Sequence, residues 1–244
     1  MLGTLVYVVP GFFAGLVQSI TGFGSGIVLM TFLPFVLPIP QGAGVSTLTM
    51  SGPNAALVWR YRRGIHWLHI IIPFIVYSVV ATVAVHVGQN LSAPLLKGLL
   101  GGLLVAIATY QVLMQYRGHT PSHIIWPVAV VFMVVSGFFN GLFGIGGPLM
   151  ALYFLTESRS TTEYLASIQT FFMLDTVYVT TLRFSQGILQ LHHLGFVAVG
   201  MVGAVLGTVV ANRVIDRLNL DRVRRIVYIF IGISGLYYLV QSVI

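Results

Sequence analysis

Apolar runs of about twenty residues, broken by short clusters of arginine, repeat along the whole chain. A run of that length spans a hydrocarbon core of roughly 30 Å as a helix. Lipid offers the backbone no partners, so such segments must satisfy their own N–H and C=O groups. The chain is therefore committed to an all-α polytopic membrane fold. The charge count agrees: 12 basic and 5 acidic residues in 244 make 7%, against roughly 25% in a soluble domain. With 57% of residues apolar, a globule of this size has no interior large enough to hide them. A soluble enzyme, a disordered chain and a nucleic-acid binder are excluded, and the net charge of +7 is a matter of loop arginines. There is no cysteine, which removes disulfides, thiolate metal sites and a cysteine nucleophile. No basic stretch precedes the first apolar run, so no cleavable signal peptide is expected.

Six segments fit one crossing each: residues 42–59, 67–87, 95–116, 165–182, 194–211 and 226–243. Two do not. Residues 1–37 would make a helix of about 55 Å and residues 124–156 one of about 50 Å, too long for one span and too short for two. Each carries a glycine cluster near its middle: Gly22, Gly24 and Gly26 in the first, Gly144, Gly146 and Gly147 in the second. Glycine disfavours helix, and Pro148 suits a helix start, so each cluster reads as a break followed by a new helix. Both segments are expected to be re-entrant hairpins.

The arginines set the topology. If both long segments crossed, the cluster at 213–225 would lie opposite Arg60, Arg62 and Arg63. If both are hairpins, the two clusters share a side together with Arg117 and Arg159. Ten of the twelve basic residues then face the cytoplasm, as the positive-inside rule requires. Loops 60–66 and 212–225 are expected inside and both termini outside. Trp59 and Trp67 flank the first basic loop at interfacial positions.

The halves resemble each other. Gly11-Phe12-Phe13-Ala14-Gly15-Leu16 matches Gly137-Phe138-Phe139-Asn140-Gly141-Leu142, and Gly64-Ile65-x-x-Leu68-His69 matches Gly187-Ile188-x-x-Leu191-His192. The offset stays between 122 and 126. The expected organisation is one domain of two repeats, 1–116 and 123–244, joined by a linker at 117–122. Each repeat is one hairpin plus three crossings. Three is odd, so the second repeat is inverted and the hairpin tips can meet near the midplane. Inverted repeats with broken helices point to a secondary transporter and to its site.

Each helix after a break presents unpaired N–H groups and a positive dipole end, which suits an anion. The expected substrate-binding groups are Gln18, Ser19, Thr21, Gly22, Gly24, Ser25 and Gly26 at the first tip, and Asn140, Gly144, Gly146 and Gly147 at the second. Asn54 and Gln169, on the polar spans that follow, are costly to bury and are expected to face the cavity. The pairs Gly11/Gly15, Gly137/Gly141 and Gly203/Gly207 read instead as close helix packing. Asp175 lies deep in a span, where acids serve proton relays or structural ion pairs. Arg183, eight residues on, is its possible partner. Asp175, Arg60 and Arg183 are the coupling or gating candidates. His66/His69 and His192/His193 have no carboxylate or thiolate nearby in sequence, so no metal is expected. No phosphate loop, dinucleotide fingerprint or catalytic triad spacing is present. No catalytic residue and no cofactor are expected.

The doubled G-F-F-x-G-L with its glycine cluster, the polar span and the G-I-x-x-L-H turn resemble the TauE/SafE sulfite-exporter family over nearly the whole chain. The resemblance implies a carrier of the prokaryotic plasma membrane. Its implied substrates are small anionic sulfur compounds such as sulfite, thiosulfate or organosulfonates, sulfoacetate among them. The residues Val17–Ile20 lengthen the first tip relative to the family pattern, which favours a substrate larger than sulfite. The bilayer is the expected environment, nucleic acid is not a partner, and a homodimer is left open. An anion channel and an intramembrane enzyme acting on lipid head groups are the alternatives.

Overall fold

The computed structural model describes residues 2–117, 124–214 and 220–244. The linker expected at 117–122 lies outside them apart from Arg117, as does Arg217. The side chains of Thr21, Arg117, Arg222 and Arg224 also lie outside what is described. Among the described residues there are α-helices and short 3-10 turns and no strand.

The first long segment is α1 (Leu2–Thr21), α2 (Ser25–Phe32) and a turn at Leu33–Phe35. Then come α3 (Ile39–Thr49), α4 (Ser51–Tyr61), α5 (Trp67–Asn90) and α6 (Ala93–Arg117). The second half runs α7 (Trp126–Phe143), α8 (Gly147–Glu157), α9 (Thr161–Ser185), α10 (Leu194–Val214) and α11 (Leu220–Gln241). Local chemistry sets several boundaries. Pro40 and Pro148 occupy first-turn positions of α3 and α8, where a missing N–H costs nothing. Ser160 caps α9 by accepting from the Glu163 N–H at 3.2 Å, while the Glu163 carboxylate accepts from the Arg159 N–H at 2.9 Å.

The crossing expected at 42–59 is two helices, α3 and α4, interrupted at Met50. Pro53 has no N–H to offer the Thr49 carbonyl, so the hydrogen-bond ladder skips a rung there. It resumes with the Asn54 N–H donating to the Met50 carbonyl at 3.0 Å.

Five described helices are long and apolar enough to cross a membrane: α5, α6, α7, α9 and α10. Apolar side chains such as Ile71, Ile75, Val79 and Val83 are exposed along α5, where lipid rather than water suits them. The chain is an all-α polytopic membrane protein. Inclusion of α7 in this set bears on the expectation of hairpins. With 20 residues in α1 and 18 in α7, their first arms measure about 30 Å and about 27 Å. The helices after the breaks, α2 and α8, have 8 and 11 residues. Each broken segment is thus a long arm followed by a short one.

Packing exchanges partners between the halves. α1 lies along α10, α7 along α5, and α6 along α11. Small residues make these approaches possible. Gly11 faces Gly200, Gly15 faces Ala204, Gly203 faces Val8 and Gly207 faces Phe12. On the other pair, Gly137 and Gly141 face the backbones of Tyr77 and Ala81. Between helices in lipid, where apolar burial provides no drive, such close backbone contact is a main source of attraction.

Candidate functional site

The two breaks are built alike. At the first, the Gly22 N–H closes α1 on the Gln18 carbonyl at 2.8 Å, and Gly22 and Gly24 take φ of 78° and 93°. At the second, the Gly144 N–H closes α7 on the Asn140 carbonyl at 2.8 Å, with φ of 67°. That left-handed backbone is open to glycine at little cost. Gly24 and Gly146 are the residues before α2 and α8, and neither helix start receives a side-chain cap. Their first N–H groups therefore remain free to serve something else.

The tips touch. A Cβ on Gly26 would stand 2.5 Å from the Gly144 carbonyl oxygen, and one on Gly147 would stand 3.4 Å from the Phe23 Cβ. Between them lies a cavity of about 60 Å³. Both tips line it, through Gly24, Ser25, Gly26, Gly144, Gly146 and Gly147. Gln18, Asn54, Asn140 and Asp175 line it as well, joined by Ser46, Thr47, Tyr77 and Thr176.

Two buried polar networks brace this enclosure. In the first, Gln18 accepts from the Ser25 hydroxyl at 2.8 Å and donates to Asn54 at 3.1 Å and to Gln169 at 3.3 Å. Gln169 in turn donates to the Gly22 carbonyl at 2.8 Å. One glutamine thus ties α1, α2, α4 and α9 together. In the second, the Asn140 amide donates to both oxygens of Asp175, at 3.0 and 3.1 Å. Arg183, only 1% exposed, donates to the Asn140 and Gly141 carbonyls at 3.1 and 3.0 Å and to the Thr47 hydroxyl at 3.2 Å. Its positive charge therefore sits on the carbonyl end of α7, the favourable end of that helix dipole.

The expected residues separate into groups. Gln18, Gly24, Ser25, Gly26, Asn54, Asn140, Gly144, Gly146, Gly147 and Asp175 come together around the cavity. Gly22 and Gln169 stand behind them, bonded to each other. Ser19 points back to its own helix, donating to the Gly15 carbonyl at 2.9 Å. Arg60 is exposed at the end of α4, over the Tyr61 ring. Arg183 is buried in the second network rather than at an open mouth. Asp175 and Arg183 form no ion pair within 4.0 Å; the one such contact among the described residues is His66 with Glu163, 3.7 Å apart. Glu163 thus reaches His66 across nearly a hundred residues, yet no group of three metal-ligating side chains forms among the described residues.

Tyr77 was not legible as a site residue. It lies in the apolar span of α5, where tyrosine reads as core or interface. It is fully buried, it lines the cavity, and its hydroxyl has no hydrogen-bond partner. A faint signal existed: it is one of three polar groups, with Ser78 and Thr82, in the middle third of that helix. Ser46, likewise buried and without a partner, faces the same space from α3.

Long apolar helices around a small polar enclosure, itself held between two broken helices, are the features of a solute-handling membrane protein. The family model for the sulfite exporter TauE/SafE matches residues 7–238, and the chain belongs to that family of membrane transporters. Comparison with curated proteins and with solved structures gives no match.

Proposed function

We propose that the protein is a secondary transporter that exports small sulfur oxyanions or organosulfonates, of the kind of sulfite, thiosulfate or sulfoacetate, by alternating access. The anion is held between the two glycine breaks. The observation that carries this reading is the convergence of two uncapped helix starts on one polar cavity. Each start offers backbone N–H groups and a positive dipole end, which bind an anion without a buried arginine at the ligand. At about 60 Å³, the space holds a few waters' worth of ligand. Drug-sized pockets run to roughly 300–1,000 Å³. The size favours sulfite over a large sulfonate, against the direction suggested by the longer first tip.

The exchange of helix partners between the halves supports two inverted repeats, since the long arm of each hairpin packs on the second crossing of the other half. Rocking of one repeat against the other would open the cavity to alternate sides. The reading places the protein in a prokaryotic plasma membrane, with loops 60–66 and 212–225 cytoplasmic. There the inside-negative potential favours anion exit by about 2.3 kcal/mol per charge per 100 mV.

Purified protein in liposomes tests this. Sulfite uptake should saturate and show counterflow against preloaded sulfite. Conductance without counterflow would make it a channel, and a chemically altered solute would make it an enzyme.

A further inference from the structure

The polar side chains at the tips largely grip one another. Ser25 is committed to Gln18, Gln18 to Asn54 and Gln169, and the Asn140 amide to Asp175. The hydroxyls left over in the cavity are Ser46 and Tyr77, both fully buried and both without a partner. Buried polar groups are nearly always hydrogen-bonded, and an orphan facing a cavity calls for a ligand. A hydroxyl can donate to an anion's oxygen.

Asp175 lines the same cavity and offers the opposite chemistry. Both its oxygens accept from the Asn140 amide, and in its ionised form the group is an acceptor only. Each carboxylate oxygen has two acceptor sites, so Asn140 leaves part of this capacity turned to the cavity. Arg183 does not neutralise it by contact, since its guanidinium donates to Thr47, Asn140 and Gly141. The titratable groups near Asp175 are Tyr77 from α5, which also lines the cavity, and Arg183 on its own helix. α3 and α7 carry none, and the charges of α4 and α8, Arg60 and Glu157, sit at the ends away from the breaks.

A fully ionised oxyanion has only acceptors. Placed here, it would set lone pairs and like charge against Asp175. An oxyanion that keeps one proton satisfies every group: its O–H donates to Asp175, and its other oxygens accept from Tyr77, Ser46 and the helix starts. We infer that the site selects the singly protonated oxyanion, hydrogensulfite in its O–H form, over sulfite, thiosulfate and sulfate, with Asp175 as the selecting residue. This rests on the anion site proposed above and adds the proton and charge state of its ligand. Each ion then leaves with its proton and one net negative charge.

Isothermal titration of the purified full chain with sulfite, on both sides of neutrality, tests it, because hydrogensulfite and sulfite interconvert there. Wild-type affinity for total sulfite should fall by about tenfold per pH unit once hydrogensulfite is being depleted, and sulfate should not displace it. Asp175→Asn presents an amide that can donate, so it should bind sulfite and sulfate alike and lose the pH slope. Tyr77→Phe should weaken binding by about tenfold or more while keeping the slope. Wild-type affinity that rises with pH, or equal displacement by sulfate, overturns the selection while leaving the anion site standing. If wild type binds no sulfur oxyanion at any pH, the anion site falls and the selection with it. Displacement by sulfate in the wild type decides the question even if a variant fails to fold.

Discussion

Asn140 stands between Asp175 and Arg183: its amide donates to both oxygens of the acid, at 3.0 and 3.1 Å, while its carbonyl accepts from the guanidinium at 3.1 Å. Acid and base are bridged by one residue at the end of α7 instead of being paired. The acid keeps a face toward the cavity, and the base is spent on fixing the second break in place.

That division gives Arg183 a structural duty. Arg183→Gln should lose charge-assisted bonds to two buried carbonyls, costing about 1.5–3 kcal/mol for each bond not replaced. The result should be a clear drop in thermal midpoint in detergent. Arg60→Gln, at an exposed position, should stay within about 0.5 kcal/mol of wild type. Equal effects from the two substitutions would remove Arg183 from the frame of the site.

Gln18 is the joint of the other network. Gln18→Leu leaves Ser25 and Asn54 without the partners they have now, each buried. A buried polar group stranded in this way costs about 1–3 kcal/mol. Ser19→Ala loses only a bond within its own helix turn and should unfold like wild type. A Gln18→Leu protein that melts with wild type would show the network to be idle.

The breaks should resist side chains. A Cβ on Gly146 would run into the Tyr77 hydroxyl and come within 2.9 Å of the Ser136 carbonyl, so Gly146→Ala should abolish sulfite binding. Gly24→Ala should cost about 1–2 kcal/mol through its left-handed backbone and weaken binding as well. Gly195→Ala is the control, since its Cβ would meet nothing within 4 Å. Gly203→Ala cannot serve, because its Cβ would strike the Val8 carbonyl and disturb the α1–α10 contact. Binding by Gly146→Ala at wild-type strength would move the ligand elsewhere.

Topology is open to single-cysteine labelling, with no native cysteine to interfere. Cysteines replacing Arg62 and Arg222 should react with an impermeant maleimide from the cytoplasmic side alone. Labelling from opposite sides would mean that the second broken segment, residues 124–156, crosses completely.

The membrane class and the positions of both breaks could be read from the chain because each depends on local composition. Twenty apolar residues mean a crossing, and three glycines in five interrupt one. The kink at Met50 was also written there, in Pro53, though an unbroken span was expected over 42–59. What could not be read was which polar groups find each other. Gln18 and Gln169 are 151 residues apart and meet only because α1 and α9 converge. Tyr77 reaches the cavity because Gly146, lacking a side chain, leaves room for its hydroxyl. Such a fit belongs to a pair of helices, and neither helix announces it alone.

The location of the anion is tested most directly with selenite as a heavy stand-in for sulfite, in an anomalous difference map from crystals of the protein. One peak is expected in the cavity, among Gly24, Gly26, Gly146 and Gly147 and beside Tyr77. A peak more than one helix diameter, about 10 Å, from both glycine clusters, with the cavity empty, would contradict it.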